Sequence, residues 1–381
     1  MASMPVLPPA WLGVLGGGQL GRFFVIAGRQ MGYRVAVLDP HEDSPAGSLA
    51  DRHIAAAYDD ARALDEMAAL CAAITTEFEN VPAQSLARLS AHARVAPSAE
   101  CVAIAQDRIR EKATLRSLGF PLGDYAPVET AAQLARPELY PARLKTARHG
   151  YDGKGQSVVT TPGEAVAAWQ RFGEVPCVLE KQLVLEREVS AIVARAAGGE
   201  TRAFAVAENR HRGGILDMSI VPARIRPALA EQAQAIAARL ASGIGYVGVL
   251  AVELFVVDGA LLVNEIAPRP HNSGHYTLDA CAASQYEQQV RALCGLPLAD
   301  ARLLSPATMV NVLGDAWRDG EPSWAEVLGE PRAKLYLYGK PSARPGRKMG
   351  HFTVVDAAAE DALDAALRIR SALGIADGEP R

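Results

Sequence analysis

The sequence predicts an α/β fold that opens on a Rossmann-like unit with a parallel sheet. Three observations carry this expectation. An apolar strand at 12–15 runs into the glycine turn "VLGGGQLGR" (14–22) and then an amphipathic helix. Further apolar strands follow at 34–39 and 73–82. Strands and glycine-bounded loops then dominate the middle of the chain, with helices between them.

The 381 residues suggest two or three domains, expected at 1–106, 107–304 and 305–381. A net charge of −4 without a long basic run argues against nucleic acid as the main partner. The five cysteines (Cys71, Cys101, Cys177, Cys281, Cys294) show no C-x-x-C spacing, which argues against a zinc site or disulfide framework and fits a reducing cytoplasm. No basic segment precedes an apolar core at the start, so no signal peptide is expected. Residues 245–263 approach membrane-span length but contain Glu253 and Asp258, each costing about 2.5–3.5 kcal/mol near a bilayer centre. A buried hairpin, not a membrane span, is expected there.

The elements follow in order. Leu20, Phe23, Phe24, Ala27 and Met31 fall at helical spacing, and Gly32 stops that helix. "DRIREKATLRSLG" (107–119) reads as a helix closed by Gly119 and Pro121. "PARLKTARHGYDGKGQSVVTT" (141–161) reads strand, glycine loop, strand. Apolar stretches crossed by carboxylates occupy 177–195. A helix is expected over 232–245, and a hairpin running into a polar loop over 247–277. After Pro306 come strands at "KLYLYGK" and "HFTVV" and a helix at "EDALDAALRIRSAL".

Several motifs carry chemistry. Gly16, Gly18 and Gly21 fit G-x-G-x-x-G, and Asp39 stands 18 residues after Gly21, near where a ribose-binding acid would be. On its own the turn fits NAD, another anion, or a tight βα turn without ligand. "HGYDGKGQ" (149–156), with Lys145 before it, fits either a phosphate-cradling loop or a plain hairpin turn. Glu253 and Glu265 interrupt apolar strands, where lone carboxylates are costly; they fit either paired core acids or a cation site. A two-residue Asp258–Gly259 turn would set Glu253 opposite Asn264, leaving Glu265 on the other face. A three-residue loop would make Glu265 its same-face diagonal neighbour at about 7–8 Å, a spacing that suits carboxylates sharing a hard cation. Arg269, His271, Asn272 and His275 follow at once. Lys340, Arg344, Arg347 and Lys348 form a basic segment, either a solvated face or an anion grip.

GGGQLG, TEFENVP, GYDGKGQ, NEIAPRPHNSGH and RPGRKMGH occur in this order across nearly the whole chain. Together they resemble the ATP-grasp superfamily, and within it the N5-carboxyaminoimidazole ribonucleotide synthetase family. The resemblance implies a Rossmann-like pre-ATP-grasp domain, a two-lobed ATP-grasp domain and a small C-terminal α/β domain. It implies ATP with magnesium (or manganese), a cytoplasmic homodimer, and small-molecule substrates: 5-aminoimidazole ribonucleotide, bicarbonate and ATP. One departure is His149, where a second glycine is expected.

By the same resemblance, Glu253 and Glu265 hold the metal with Asn264 assisting. Arg108, Lys145 and the loop Gly150, Tyr151, Asp152, Gly153, Lys154, Gly155 and Gln156 contact ATP phosphates. Glu180, Lys181, Gln182 and Leu183 hold adenine, Glu188 the ribose, and His211 lies near the nucleotide. Arg269 and His271 steady carboxyphosphate and manage protons, and Asp152 is the third catalytic group. Gln19, Leu20 and Glu77 line the ribonucleotide site, with Tyr151 and Asn272; Lys340, Arg347 and Lys348 grip its phosphate. The glycine turn would then meet a phosphoribosyl anion rather than NAD. Rival readings are formate-dependent glycinamide ribonucleotide transformylase, biotin carboxylase, an NAD-dependent dehydrogenase and a non-catalytic nucleotide-binding module.

Overall fold

In the computed structural model, which describes residues 4–150 and 154–375, the N-terminal apolar runs pair as a parallel sheet. Its strands are β1 (Trp11–Leu15), β2 (Arg34–Leu38), β3 (Arg52–Ile54), β4 (Ala73–Thr76) and β5 (Arg94–Val95), in the order β3-β2-β1-β4-β5. Helices α1 (Gln19–Gln30), α2 (Ala61–Leu70), α3 (Ala83–Ser90) and α4 (Ala99–Ala105) accompany it. The chain reverses direction of growth between β1 and β4. The glycine turn after β1 and Glu77 after β4 therefore meet at the switch point, where ligands of such sheets bind. The strand before Glu77 is the fourth, not the third; β3 is short and polar at its start, so it left no apolar run to read.

Helix α5 (Arg108–Ser117) leads into β6 (Tyr125–Val128), β7 (Ala142–Thr146), β8 (Gln156–Val159), helix α6 (Pro162–Arg171) and β9 (Cys177–Lys181). The four strands form an antiparallel sheet in the order β6-β9-β7-β8. Strands β7 and β8 flank the glycine loop as expected.

A long antiparallel sheet follows. It contains β10 (Arg187–Arg195), β11 (Thr201–Ala203), β12 (Ala207–Arg212), β13 (Ile215–Val221), β14 (Gly248–Val257), β15 (Ala260–Ala267), β16 (Ala307–Leu313), β17 (Ala333–Leu337) and β18 (Lys348–Val355). Its order is β15-β14-β10-β12-β13-β16-β18-β17, with β11 beside β10. The strands after Pro306 thus continue the central sheet through the β13–β16 pairing. Its helices are α7 (Pro227–Gly243), α8 (Thr277–Ala280), α9 (Gln285–Cys294), α10 (Trp324–Leu328) and α11 (Ala359–Ala372). Helix α7 starts at Pro227, earlier than expected, because proline suits the first helical position.

Strand alternation sorts the two faces of β10. Val189, Ala191 and Val193 pack with Leu229, Ala233, Ile236 and Leu240 of α7. Ile192 and Ala194 join a different cluster with Tyr276 and Ala280, on the side of the polar loop. Ser190 belongs to that second face. The long apolar stretch after Gly245 forms the β14–β15 hairpin, and among the described residues no helix is long and apolar enough to cross a membrane.

Candidate active site

The hairpin takes the two-residue turn but departs from the simple register of either geometry. Its turn is the two-residue Asp258–Gly259 form, both with positive φ (49° and 72°), and it pairs Val257 with Ala260. Alone, that register would send Glu253 and Glu265 to opposite faces. A bulge restores them: Leu254 pairs with Val263, yet Glu253 pairs with Glu265, so Asn264 is the extra residue. The two carboxylates stand directly opposite each other rather than diagonally. Like charges so placed repel, and each has a nitrogen donor against it. Arg108 Nη1 lies 2.5 Å from Glu265 Oε2, and His271 Nε2 lies 3.2 Å from Glu253 Oε1. Burial opposes ionisation of Glu253, but His271, His211 and Lys348 together hold it low, at about 2. The buried Asn264 Oδ1 has no hydrogen-bond partner among the described residues. Two carboxylates and an unpartnered amide oxygen are a donor set suited to a hard cation that shares substrate oxygens.

The nucleotide-side cations are also held by carboxylates. Lys145 Nζ sits 2.6 Å from Glu180 Oε2, and Lys112 Nζ sits 3.1 Å from Glu180 Oε1. Burial would raise the Glu180 carboxyl, but Lys145 and Lys112 bring it down to about 2. The Glu180 side chain, expected on adenine, is therefore engaged with the lysine expected on phosphate. Beyond it, Lys181, Gln182 and Leu183 form the crossing from β9 to β10; Gln182 is tied by its amide to Pro141 O at 2.8 Å. Glu188 meets His211 at 2.7 Å, a close ion pair off the angle of a hydrogen bond. Burial lowers the His211 pKa, but Glu188, Glu253 and Glu265 raise it on balance.

In the glycine loop, His149 has φ 60°, the left-handed region in which glycine is at ease. This is the physical content of the glycine expected there. Gly150 lies close to Lys154 O, Gly155 abuts Thr146 Oγ1, and Gln156 pairs with Lys145 across β7 and β8. Tyr151, Asp152 and Gly153 lie outside the described residues.

On the ribonucleotide side the glycine turn binds the protein itself. Gly18 N donates to Glu77 Oε1 (2.5 Å) and Gly21 N to Glu77 Oε2 (2.7 Å). A Cβ on Gly18 would lie 2.5 Å from Glu77 Oε1, so the fingerprint glycines admit this carboxylate. The helix dipole meets Glu77, not a free site for a phosphoribosyl group, which corrects that expectation. Asp39 is likewise engaged, accepting from Gly17 N (2.7 Å) and Tyr58 OH (2.6 Å). Calorimetric titration with NAD should accordingly show no measurable heat; tight binding abolished by Asp39→Ala would restore the dehydrogenase reading.

Leu20, Glu77 and Pro270 line one small hollow, and Gln19 opens α1 beside it. The Lys340 charge acts on Glu77 and the Lys348 charge on Glu253, each as the smallest of the influences on that carboxyl. Lys340 Nζ donates to Lys348 O at 2.6 Å. Arg347 Nη1 is held by Ser342 O (2.9 Å) and Oγ (3.0 Å). Asn272 is buried at 5% exposure, and neither its Nδ2 nor its Oδ1 has a partner among the described residues. Buried amides are normally satisfied, which sets this side chain apart as a candidate contact. His275, by contrast, is core: fully buried, stacked on His351 at 4.3 Å, with Nδ1 on Tyr286 OH.

Sequence reasoning missed Lys112, Glu111 and Glu79. Helix α5 reads "RIREKATLRS", with so few apolar residues that a packed α5 must bury charges, which is the signal available. Glu111 accepts from Ile266 N at 2.6 Å, and burial followed by the Glu265 charge pushes it up to about 8. Glu79 holds Arg269 at 2.6 Å; burial opposes its ionisation, but Arg269 brings it down to about 2. Its folded pKa lies below the unfolded value of about 4.3. The pair therefore stabilises above about pH 4.3, and that contribution is lost as pH falls toward 2. Glu79→Gln should lower stability at pH 7 by about 1–3 kcal/mol, with the gap to wild type narrowing below pH 4. Urea unfolding across that range measures it; a gap independent of pH would refute the ion-pair account.

Comparisons with known proteins bear on the family and the fold. Residues 10–106 match a model of the ribonucleotide synthetase preATP-grasp domain, 113–286 an ATP-grasp domain, and 307–365 a phosphoribosylaminoimidazole carboxylase C-terminal domain. The N5-carboxyaminoimidazole ribonucleotide synthase of Bacillus subtilis is 46% identical over 93% of this chain and 93% of its own. That of Pseudomonas aeruginosa is 42% identical over 90% and 94%. A synthetase solved as its ADP complex superposes with TM-score 0.91 at 42% identity, covering 97% of this chain and 98% of that one. The Aspergillus clavatus enzyme, solved with ADP and 5-aminoimidazole ribonucleotide, gives 0.87 at 28%, covering 99% and 100%. The chain belongs to the N5-carboxyaminoimidazole ribonucleotide synthase family, ATP-grasp ligases of purine biosynthesis.

Proposed function

We propose that this chain joins bicarbonate to the amine of 5-aminoimidazole ribonucleotide, driven by ATP cleavage, and releases N5-carboxyaminoimidazole ribonucleotide, ADP and phosphate. The observation that carries the reading is the pair of opposed carboxylates, one of them against His271, in a chain whose next loop holds Arg269 on Glu79 and the unpartnered Asn272. A bicarbonate oxygen attacks the γ-phosphorus as the bond to ADP breaks, giving carboxyphosphate. The substrate nitrogen then bonds to its carbon, or to the CO₂ it releases, and phosphate leaves. No protein nucleophile is required; positioning and charge neutralisation do the work.

Arg108 and Lys145 exchange their carboxylates for phosphate oxygens. Arg269, fixed by Glu79, and His271 hold the carboxyphosphate, and Asn272 supplies an amide donor and acceptor. Asp152 and Tyr151 complete the catalytic and substrate-side groups. Lys340, Arg347 and Lys348 take the ribonucleotide phosphate. Glu253, Glu265 and Asn264 would hold magnesium, or manganese in its place, which neutralises charge on the phosphoryl oxygens. The protein acts as a cytoplasmic homodimer, its three domains at 1–106, 107–304 and 305–381.

Transfer of label from ¹³C-bicarbonate to aminoimidazole ribonucleotide tests the reading. Labelled carbamate is expected. Formylation of glycinamide ribonucleotide with formate in its place would favour the transformylase.

A further inference from the structure

Behind His271 lies a buried hydrogen-bond chain that the proposed chemistry does not use. Ser273 N–H donates to His271 Nδ1 at 3.3 Å, so Nδ1 carries no proton. Ser273 Oγ lies 2.8 Å from the same Nδ1, and its hydroxyl must therefore be the donor. Ser190 Oγ lies 2.7 Å from Ser273 Oγ. Since the Ser273 proton points to the ring, Ser190 donates to Ser273. Both serines are buried, at 1% and 0% exposure. The chain also closes on itself: Ser190 is the strand partner of Glu253, which faces His271 Nε2 at 3.2 Å.

We propose that Ser190 and Ser273 are positioning residues that lock His271 in the tautomer with its proton on Nε2, aimed at Glu253 and the reacting groups. A neutral imidazole has one donor and one acceptor nitrogen, and the partner of one fixes the role of the other. Two donors converging on Nδ1 leave Nε2 as the only place for the proton. The functional side of this inference rests on the role proposed for His271; the tautomer does not.

The test separates the two. ¹⁵N-histidine spectra of the ligand-free protein, with His271 assigned by loss of its signals in His271→Gln, should show Nδ1 unprotonated and Nε2 protonated. Ser273→Ala should move both signals toward a mixture of tautomers. It should lower kcat by about 10–100-fold, the usual scale for losing such an orienting partner, with KM for ATP nearly unchanged. Ser190→Ala, which leaves the Ser273 hydroxyl in place, should do the same more weakly. Ser273→Thr, which keeps the hydroxyl, should restore much of the signal pattern. A wild-type spectrum with Nδ1 protonated overturns the proposal, as do unmoved signals in both alanine variants. If the spectra behave as expected but kcat is untouched, the tautomer lock stands and the role given to His271 fails.

Discussion

Glu265→Gln should leave the protein folded and reduce turnover on the order of 10²–10³-fold, with a raised magnesium requirement. Gln keeps the volume of Glu, so the β14–β15 hairpin and its bulge keep their packing. What changes is charge. Glu265 is the direct strand partner of Glu253 and the partner of Arg108 at 2.5 Å. Its removal takes away half of the carboxylate pair that faces the proposed metal. Arg108 is not left isolated, because the Glu180 charge also acts on it and Glu111, no longer facing the Glu265 charge, ionises more readily, so the stability cost stays moderate. Kinetics against magnesium and a thermal melt measure both parts. Near-normal turnover at ordinary magnesium would show that the metal assignment is wrong.

Lys145→Ala and Arg347→Ala should damage different substrates. Lys145 is buried at 8% exposure and paired with Glu180, so truncating it removes a phosphate-seeking charge and leaves Glu180 to Lys112 alone. Losing one member of a buried charge pair commonly costs about 2–5 kcal/mol, so KM for ATP should rise on the order of 30-fold or more. Arg347 sits in the C-terminal loop, steadied by Ser342. Its loss should raise KM for aminoimidazole ribonucleotide and leave KM for ATP nearly unchanged, with some bicarbonate-dependent ATP cleavage persisting without product. Equal damage to ATP binding in both variants would exclude the C-terminal segment as the ribonucleotide site.

The fold was legible where periodicity is strong. The β1–α1 unit, helix α5, strands β7 and β8 and the β14–β15 hairpin all follow from apolar spacing and glycine punctuation. Strand β3 was not, because three residues of which two are polar carry no period. The carboxylate pair was legible as chemistry but not as geometry. A bulge at Asn264 inverts the face of every residue beyond it, and nothing in a run of apolar residues announces an unpaired one. The glycine turn misled for a related reason. Its glycines permit close approach of an anion, and sequence cannot say that the anion is Glu77, fifty-nine residues beyond Gly18. Lys112 and Glu111 were hidden because a charged helix reads as solvated unless something packs over it. The serines behind His271 have no sequence signature, since only the fold brings Ser190 to Ser273.

The proposed activity couples ATP cleavage to carboxylation of the ribonucleotide. ADP release measured with ATP and aminoimidazole ribonucleotide, with and without added bicarbonate, tests it most directly. Bicarbonate should raise ADP release, with ADP and carboxylated product forming one for one. ADP release indifferent to bicarbonate, or sustained instead by glycinamide ribonucleotide and formate, would contradict it.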